Sequence, residues 1–162
     1  MEGGFNLKRI GIDDKISKQL LKDYEKLYRL AYSYVHNEAD AMDIVQESAY
    51  RAIKNSSTLK EEKYIATWIY RITINTANEF VRKRKREVIG VEDYLADYED
   101  TYTDIDVMDS LKTLNEQDRT IIVLRYFEDL KISDIAQIIG ENENTIKSRL
   151  YRALKKLKVK LM

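Results

Sequence analysis

The chain of 162 residues has no cysteine, no proline, one histidine and five glycines. Without cysteine there is no disulfide and no thiolate-bound zinc or iron–sulfur centre. With His36 as the sole imidazole, a His-based metal site or a Ser-His-Asp triad lacks members. Scarce breakers leave helices uninterrupted, and the abundance of Leu, Ile, Lys, Glu and Arg favours a mostly helical chain. No stretch approaches the ~18 uninterrupted apolar residues of a membrane span. The opening MEGGFNLKRIGIDDK lacks the apolar core of a signal peptide, so the expected location is the cytoplasm.

Excess charge of either sign is also missing, with 28 basic and 28 acidic residues. The balance hides segregation. Arg71, Arg82, Lys83, Arg84, Lys85 and Arg86 oppose Glu79 alone, and from Thr145 to the end there are seven bases and no acid. Between them, Glu87 to Asp118 holds eleven acids against Lys112. Like-charge blocks of this kind mark separate interaction surfaces, and the basic ones suit a phosphate backbone.

Hydrophobic periodicity divides the chain into two helical blocks, residues 15–86 and 107–162, with 87–106 as an acidic linker. In the first block, Lys22–His36 carries apolar positions at helical spacing. Asn37 is placed to cap a helix over Ala39–Lys54 with Ala41, Ile44, Val45, Ala49, Ala52 and Ile53 inward. A long helix is expected from about Lys63 to Lys85, with Ile65, Trp68, Ile69, Ile72, Thr76 and Phe80 inward. In the second block, Asn115 is placed to cap a helix reaching Phe127, and Glu128 to Lys131 turns the chain. Ser133 is the expected cap of a short helix over Asp134–Ile139, with Ile135, Ala136 and Ile139 inward. Gly140 suits the left-handed residue that ends it, and Asn142 the cap of the last helix. There Ile146, Leu150, Ala153, Leu154 and Leu157 form an apolar stripe.

The segment SDIAQIIGENENTIKSRLYRALKKL therefore has helix-turn-helix spacing: Ala136 permits close approach and a glycine sits in the turn. Thr145, Lys147, Ser148, Arg149 and Arg152 are its candidate DNA contacts, Arg149 and Arg152 through guanine or phosphate. The alternative is an amphipathic hairpin with a solvated basic face. On the long helix of the first block, Arg71, Asn75, Asn78 and Arg82 share the side opposite the apolar stripe. Asn can donate to and accept from base edges, and Tyr64 and Trp68 stand near a polar break that could hold an unstacked base. A solvated face explains the same residues. Asp40, Asp43, Gln46 and Glu47 are placed on the exposed side of their helix, as a solvated acidic face or as a dock for a basic partner protein.

With these pieces in order, the chain resembles the extracytoplasmic-function sigma factors of bacterial RNA polymerase, from about Tyr24 to its end. The carrying segments are DAMDIVQESAYRAIKN, ATWIYRITINTANEFVRKRKR and LNEQDRTIIVLRYFEDLKISDIAQIIGENENTIKSRLYRALKKL. The resemblance implies an all-α chain of two small domains, sigma-2 and sigma-4, joined by a flexible acidic linker. It implies no catalytic chemistry, no cofactor, no metal and no small-molecule substrate. The implied partners are core RNA polymerase, promoter DNA and an anti-sigma factor, often membrane-bound. By family pattern, Asp40, Asp43, Gln46 and Glu47 would dock on core polymerase. Arg71, Asn75, Asn78 and Arg82 would read the minus-10 element, with the loop from Asn55 to Lys63 holding a flipped base. Thr145, Lys147, Ser148, Arg149 and Arg152 would meet the minus-35 element. The chain departs from the pattern at Asn115, where the family often has proline, and at Glu141 and Glu143, where apolar or small residues are common. Two rival readings stay open at this level: a dimeric helix-turn-helix repressor, and a sigma-like decoy that holds polymerase without initiating.

Overall fold

The computed structural model describes residues 7–87 and 110–161. The segment read as a linker lies outside them apart from Glu87. Among the described residues all regular structure is helical.

The first half starts with α1, Leu7–Lys22, eight residues earlier than the apolar pattern indicates. Ile16 anchors it, with no accessible surface. The chain breaks at Asp23 and continues as α2, Tyr24–Val35, which ends on His36 in a left-handed conformation. Asn37 then caps α3, Glu38–Lys54, its side-chain oxygen accepting from the Asp40 amide at 2.9 Å. Two 3-10 turns, Ser56–Thr58 and Glu62–Tyr64, lead into α4, Ile65–Glu87. Helices α2, α3 and α4 pack on one another, and α1 lies against all three. Leu27, Leu30, Ala31, Ala41, Ile44, Ala52 and Ile69 are essentially inaccessible. Each fully buried leucine or isoleucine contributes about 1.5–3 kcal/mol.

In the second half, a 3-10 turn over Leu111–Thr113 precedes α5, Glu116–Ile122. Asn115 caps α5, accepting from the Asp118 amide at 2.8 Å. The helix then widens into a π turn over Val123–Phe127, closed by the Glu128 amide donating to the Val123 carbonyl at 3.0 Å. Asp129 takes a left-handed conformation, and α6, Ile132–Ile139, follows. Because α6 begins at Ile132 with Lys131 in the capping position, Ser133 lies inside its first turn and does not cap it. Gly140, at φ 83°, ends α6, and Asn142 caps α7, Glu143–Leu161, by accepting from the Thr145 amide at 2.8 Å. The buried stripe of α7 is Ile146, Ala153 and Leu157, with Leu150 half-buried and Leu154 at the surface. On α6 the fully inward residues are Ile135, Ala136 and Ile138, while Ile139 is half-buried.

One hydrophobic cluster runs through both halves. The contacts that join them are α2 against α5 and the π turn, and α4 against α6. This explains why α4 is buried over a wider arc than its apolar stripe suggests. Tyr70, Thr73 and Ala77 are buried as well as Ile65, Ile69 and Thr76, whereas Trp68, Ile72 and Phe80 are only half-buried. Thr73 and Thr76 satisfy their hydroxyls on the carbonyls of Ile69 and Ile72, one turn back, so their burial leaves no orphan.

Candidate polymerase and nucleic-acid interfaces

Three polar surfaces carry the residues singled out by sequence. On α3, Asp43, Gln46 and Glu47 are exposed, but Asp40 is buried and ion-paired with Arg84 of α4. An isolated buried carboxylate is costly, and the basic end of α4 supplies the counter-charge. Asp40 therefore ties α3 to α4, which corrects its expected place on the exposed face. Glu47 is engaged by Arg51, one turn on, at 2.9 Å, and Arg51 also pairs with Glu79. Both carboxylates hold the Arg51 guanidinium in its charged form. Asp43 and Gln46 are the freer members of this surface.

On α4, Asn75 and Arg82 are exposed and Asn78 is half-buried. Arg71 reaches across to the second half, its Nε donating to the Ile138 carbonyl at 3.3 Å. Its guanidinium also lies where a side chain on residue 140 would stand, 3.4 Å from an ideal Cβ. Gly140 thus serves twice: it adopts the left-handed turn and leaves room for Arg71. Arg71, Asn75 and Asn78 line a cleft of about 240 Å³ between the halves, opposite Glu116, Gln117, Ile138 and Ile139. At the start of α4, Tyr64 is exposed under Lys63, whose Nζ is 5.1 Å from the ring centre.

On α7, Lys147 and Ser148 are exposed, while Thr145 is half-buried. Arg149 lies 3.6 Å from Glu141. Arg152 donates to both oxygens of Asp118 at 3.0 and 3.2 Å, and the Asp118 side chain has no accessible surface. Arg152 is therefore a brace between α5 and α7 as well as a basic residue on the helix. Of the five residues assigned to this surface, Lys147 and Ser148 are the most available to a duplex. Lys155 and Lys156 extend the exposed basic face.

The surfaces have counterparts in known proteins. Residues 20–87 match the family described as Sigma-70 region 2, and residues 105–157 match Sigma-70, region 4. Over 142 residues the chain is 44% identical to RNA polymerase sigma factor SigV of Bacillus subtilis, covering 85% of each protein. The chain belongs to the sigma-70 family, in its extracytoplasmic-function branch. It is also 30% identical to the ECF sigma factor SigW of Bacillus subtilis over 156 residues, covering 85% of this chain and 83% of that one. In three dimensions it resembles the sigma factor RpoE of Bartonella quintana, solved with the anti-sigma factor NepR. That likeness has a TM-score of 0.76 at 26% identity, over 90% of this chain and 95% of the other. In this sigma factor, α1 to α4 carry region 2 and α5 to α7 carry the helix-turn-helix of region 4.

Sequence reasoning missed Arg29 and Glu128, the ion pair across the seam between the regions. Arg29 Nε lies 3.4 Å from Glu128 Oε1, and one terminal nitrogen donates to the Phe127 carbonyl at 3.2 Å. Burial pushes the Glu128 carboxyl up to about 7, with Arg29 pulling the other way. Nothing local distinguishes a glutamate in a turn from a solvated one. The weak signal was the adjacent FEDLK, a turn without glycine.

Proposed function

We propose that this sigma factor docks on core RNA polymerase through Asp43, Gln46 and Glu47, and that its two basic surfaces read separate promoter elements. Lys147, Ser148, Arg149 and Arg152 approach the minus-35 duplex, with Thr145 at the mouth of the groove. Arg71, Asn75, Asn78 and Arg82 meet the minus-10 strand, and the segment from Asn55 to Lys63 receives its flipped base. Stacking and hydrogen bonds to that base offset the few kcal/mol of unstacking, so no hydrolysis is needed. The protein acts in the cytoplasm, is not an enzyme, and is held in check by an anti-sigma factor. That last point is supported by its likeness to a sigma factor solved with NepR. The proposed division of labour is residues 15–86 for docking and minus-10 reading, 87–106 as connector and 107–162 for minus-35 reading.

The observation that carries this reading is the start of α7. Gly140 and Asn142 fix a tight helix-turn-helix junction and leave Lys147 and Ser148 exposed on the first turns of the recognition helix. The test is in vitro transcription with bacterial core polymerase on a library of promoter fragments. Start sites that appear only with the protein are expected. Arg149→Ala should lower use of promoters with a minus-35 element by about 1–3 kcal/mol of discrimination. Core binding without initiation would favour the decoy, and duplex retention without core binding a repressor.

A further inference from the structure

The seam between the two halves is built from α2 and α4 on one side and from α5, the π turn and α6 on the other. Four polar contacts cross it. Arg29 meets Glu128 and the Phe127 carbonyl. The Tyr34 hydroxyl and the Thr120 hydroxyl lie 2.6 Å apart, both residues buried. The Arg119 guanidinium stacks over the Tyr34 ring, 5.9 Å from its centre. Arg71 donates to the Ile138 carbonyl.

Two features make this seam unlike the interior of either half. Its polar fit is incomplete: the Nε of Arg119 is buried without an acceptor, and burial pulls its guanidinium below the usual arginine value. Its buried acid also has no support from its own half. The charges that act on Glu128 are Arg29, Lys26 and Asp23, all on α2 or the residue before it. Asp118, the other fully inaccessible acid of region 4, is by contrast satisfied internally by Arg152 and Asn115. Polar seams of this kind separate more readily than packed cores. What this one covers is Arg71 and the flank of α4 that bears Asn75 and Asn78.

We infer that the seam is an autoinhibitory latch, in which region 4 closes over the minus-10-reading side of α4 and must swing away before Arg71, Asn75 and Asn78 can engage a strand. The inference rests on the reading of that face as the minus-10 reader. Arg71 cannot grip a phosphate while its Nε is committed to the Ile138 carbonyl. The 240 Å³ cleft is too small to admit a nucleotide strand. The free protein is therefore an equilibrium between a closed and an open form, and affinity for the minus-10 strand falls by the open fraction.

The test combines Arg29→Ala with Tyr34→Phe in the full chain. Neither residue belongs to the proposed DNA or polymerase surfaces, and each change removes one side of a cross-seam contact. The absence of native cysteine lets a distance probe pair be placed at exposed Lys60 and Lys131 through Lys60→Cys and Lys131→Cys. The expected result is a longer separation in the variant, unchanged helicity, and roughly tenfold tighter binding without polymerase. The DNA probe is a promoter fragment recovered from the transcription assay, single-stranded across its minus-10 stretch. An unchanged separation would overturn the latch, as would a longer separation with no gain in strand binding. Transcription with core polymerase reports independently on the sigma-factor reading: a seam that opens as expected in a protein that never initiates would sink that reading and leave the closure standing.

Discussion

The two proposed DNA-reading surfaces sit in opposite situations. The recognition helix of region 4 presents Lys147 and Ser148 openly, and its interior acid, Asp118, is satisfied by Arg152 of the same half. The reader of region 2 is partly closed off. Arg71 is spent on the Ile138 carbonyl, Asn78 is half-buried, and the nearest interior acid, Glu128, depends on Arg29 from the other half. One surface is finished within its own domain, and the other is finished only when the domains part. Duplex contact and strand capture are thereby separable steps, set by which polar groups are satisfied locally and which across the seam.

The most drastic way to break the comparison is to remove the core beneath the open surface. Ile146 is fully buried under the first turns of α7. Ile146→Ala should cost about 2–5 kcal/mol through lost burial and a residual cavity. For a region of this size that is a large share of its stability. Region 4 should loosen while region 2, with its own packed α2–α4 interior, stays folded. The expected signature is loss of minus-35-dependent transcription with capture by core polymerase retained. Equal loss of both would mean that the two halves fold as one cooperative unit.

A finer probe is the pH response of the seam, whose sign is fixed by Glu128. Burial raises its carboxyl from 4.5 to about 7 in the closed form, against the pull of Arg29. When the halves part, the group returns to water and to its ordinary range. Between the two values the closed form holds a proton that the open form has released. Closure therefore has its full contribution below about 4.5 and loses it as pH rises through about 7. The separation of the labelled pair should lengthen with rising pH across roughly 5.5 to 8.5. Glu128→Gln keeps the shape and removes the charge, so its separation should be short and flat over the same range. A wild-type response that is equally flat would show that Arg29 fully compensates the buried charge.

What could be read from the sequence was what is local. Asn37, Asn115 and Asn142 each accept from the amide three residues on, and Gly140 takes the left-handed turn, as their positions indicated. Caps depend on three or four neighbouring residues, so spacing is enough. Ser133 failed because Lys131 preempts it and α6 starts one residue earlier. The seam was not legible, since its partners lie 86 to 99 residues apart. A glutamate in a turn, a tyrosine near a helix end and an arginine on a polar face each have an adequate solvated explanation alone. Asp40 failed for the same reason, its partner Arg84 being on another helix. The proposed site residues were found as surfaces, while their pairing and coverage needed the tertiary arrangement.

The smallest expected effect sharpens the comparison best, because it sets the same chemical device in both halves. Asn37 caps α3 and Asn142 caps α7 through identical side-chain-to-amide bonds. Removing either by alanine should cost about 1 kcal/mol. The surroundings differ. The first turn of α3 is also tied down by Asp40, buried and paired with Arg84, whereas residues 141 to 144 at the start of α7 are all exposed. Asn142→Ala should therefore speed exchange of the Thr145 amide by about fivefold through local fraying, the equivalent of that 1 kcal/mol. Asn37→Ala should leave the Asp40 amide protected until the region unfolds as a whole. Equal acceleration at both would mean that the Asp40–Arg84 pair adds nothing to the order of α3. The closed half would then owe its protection to the seam alone.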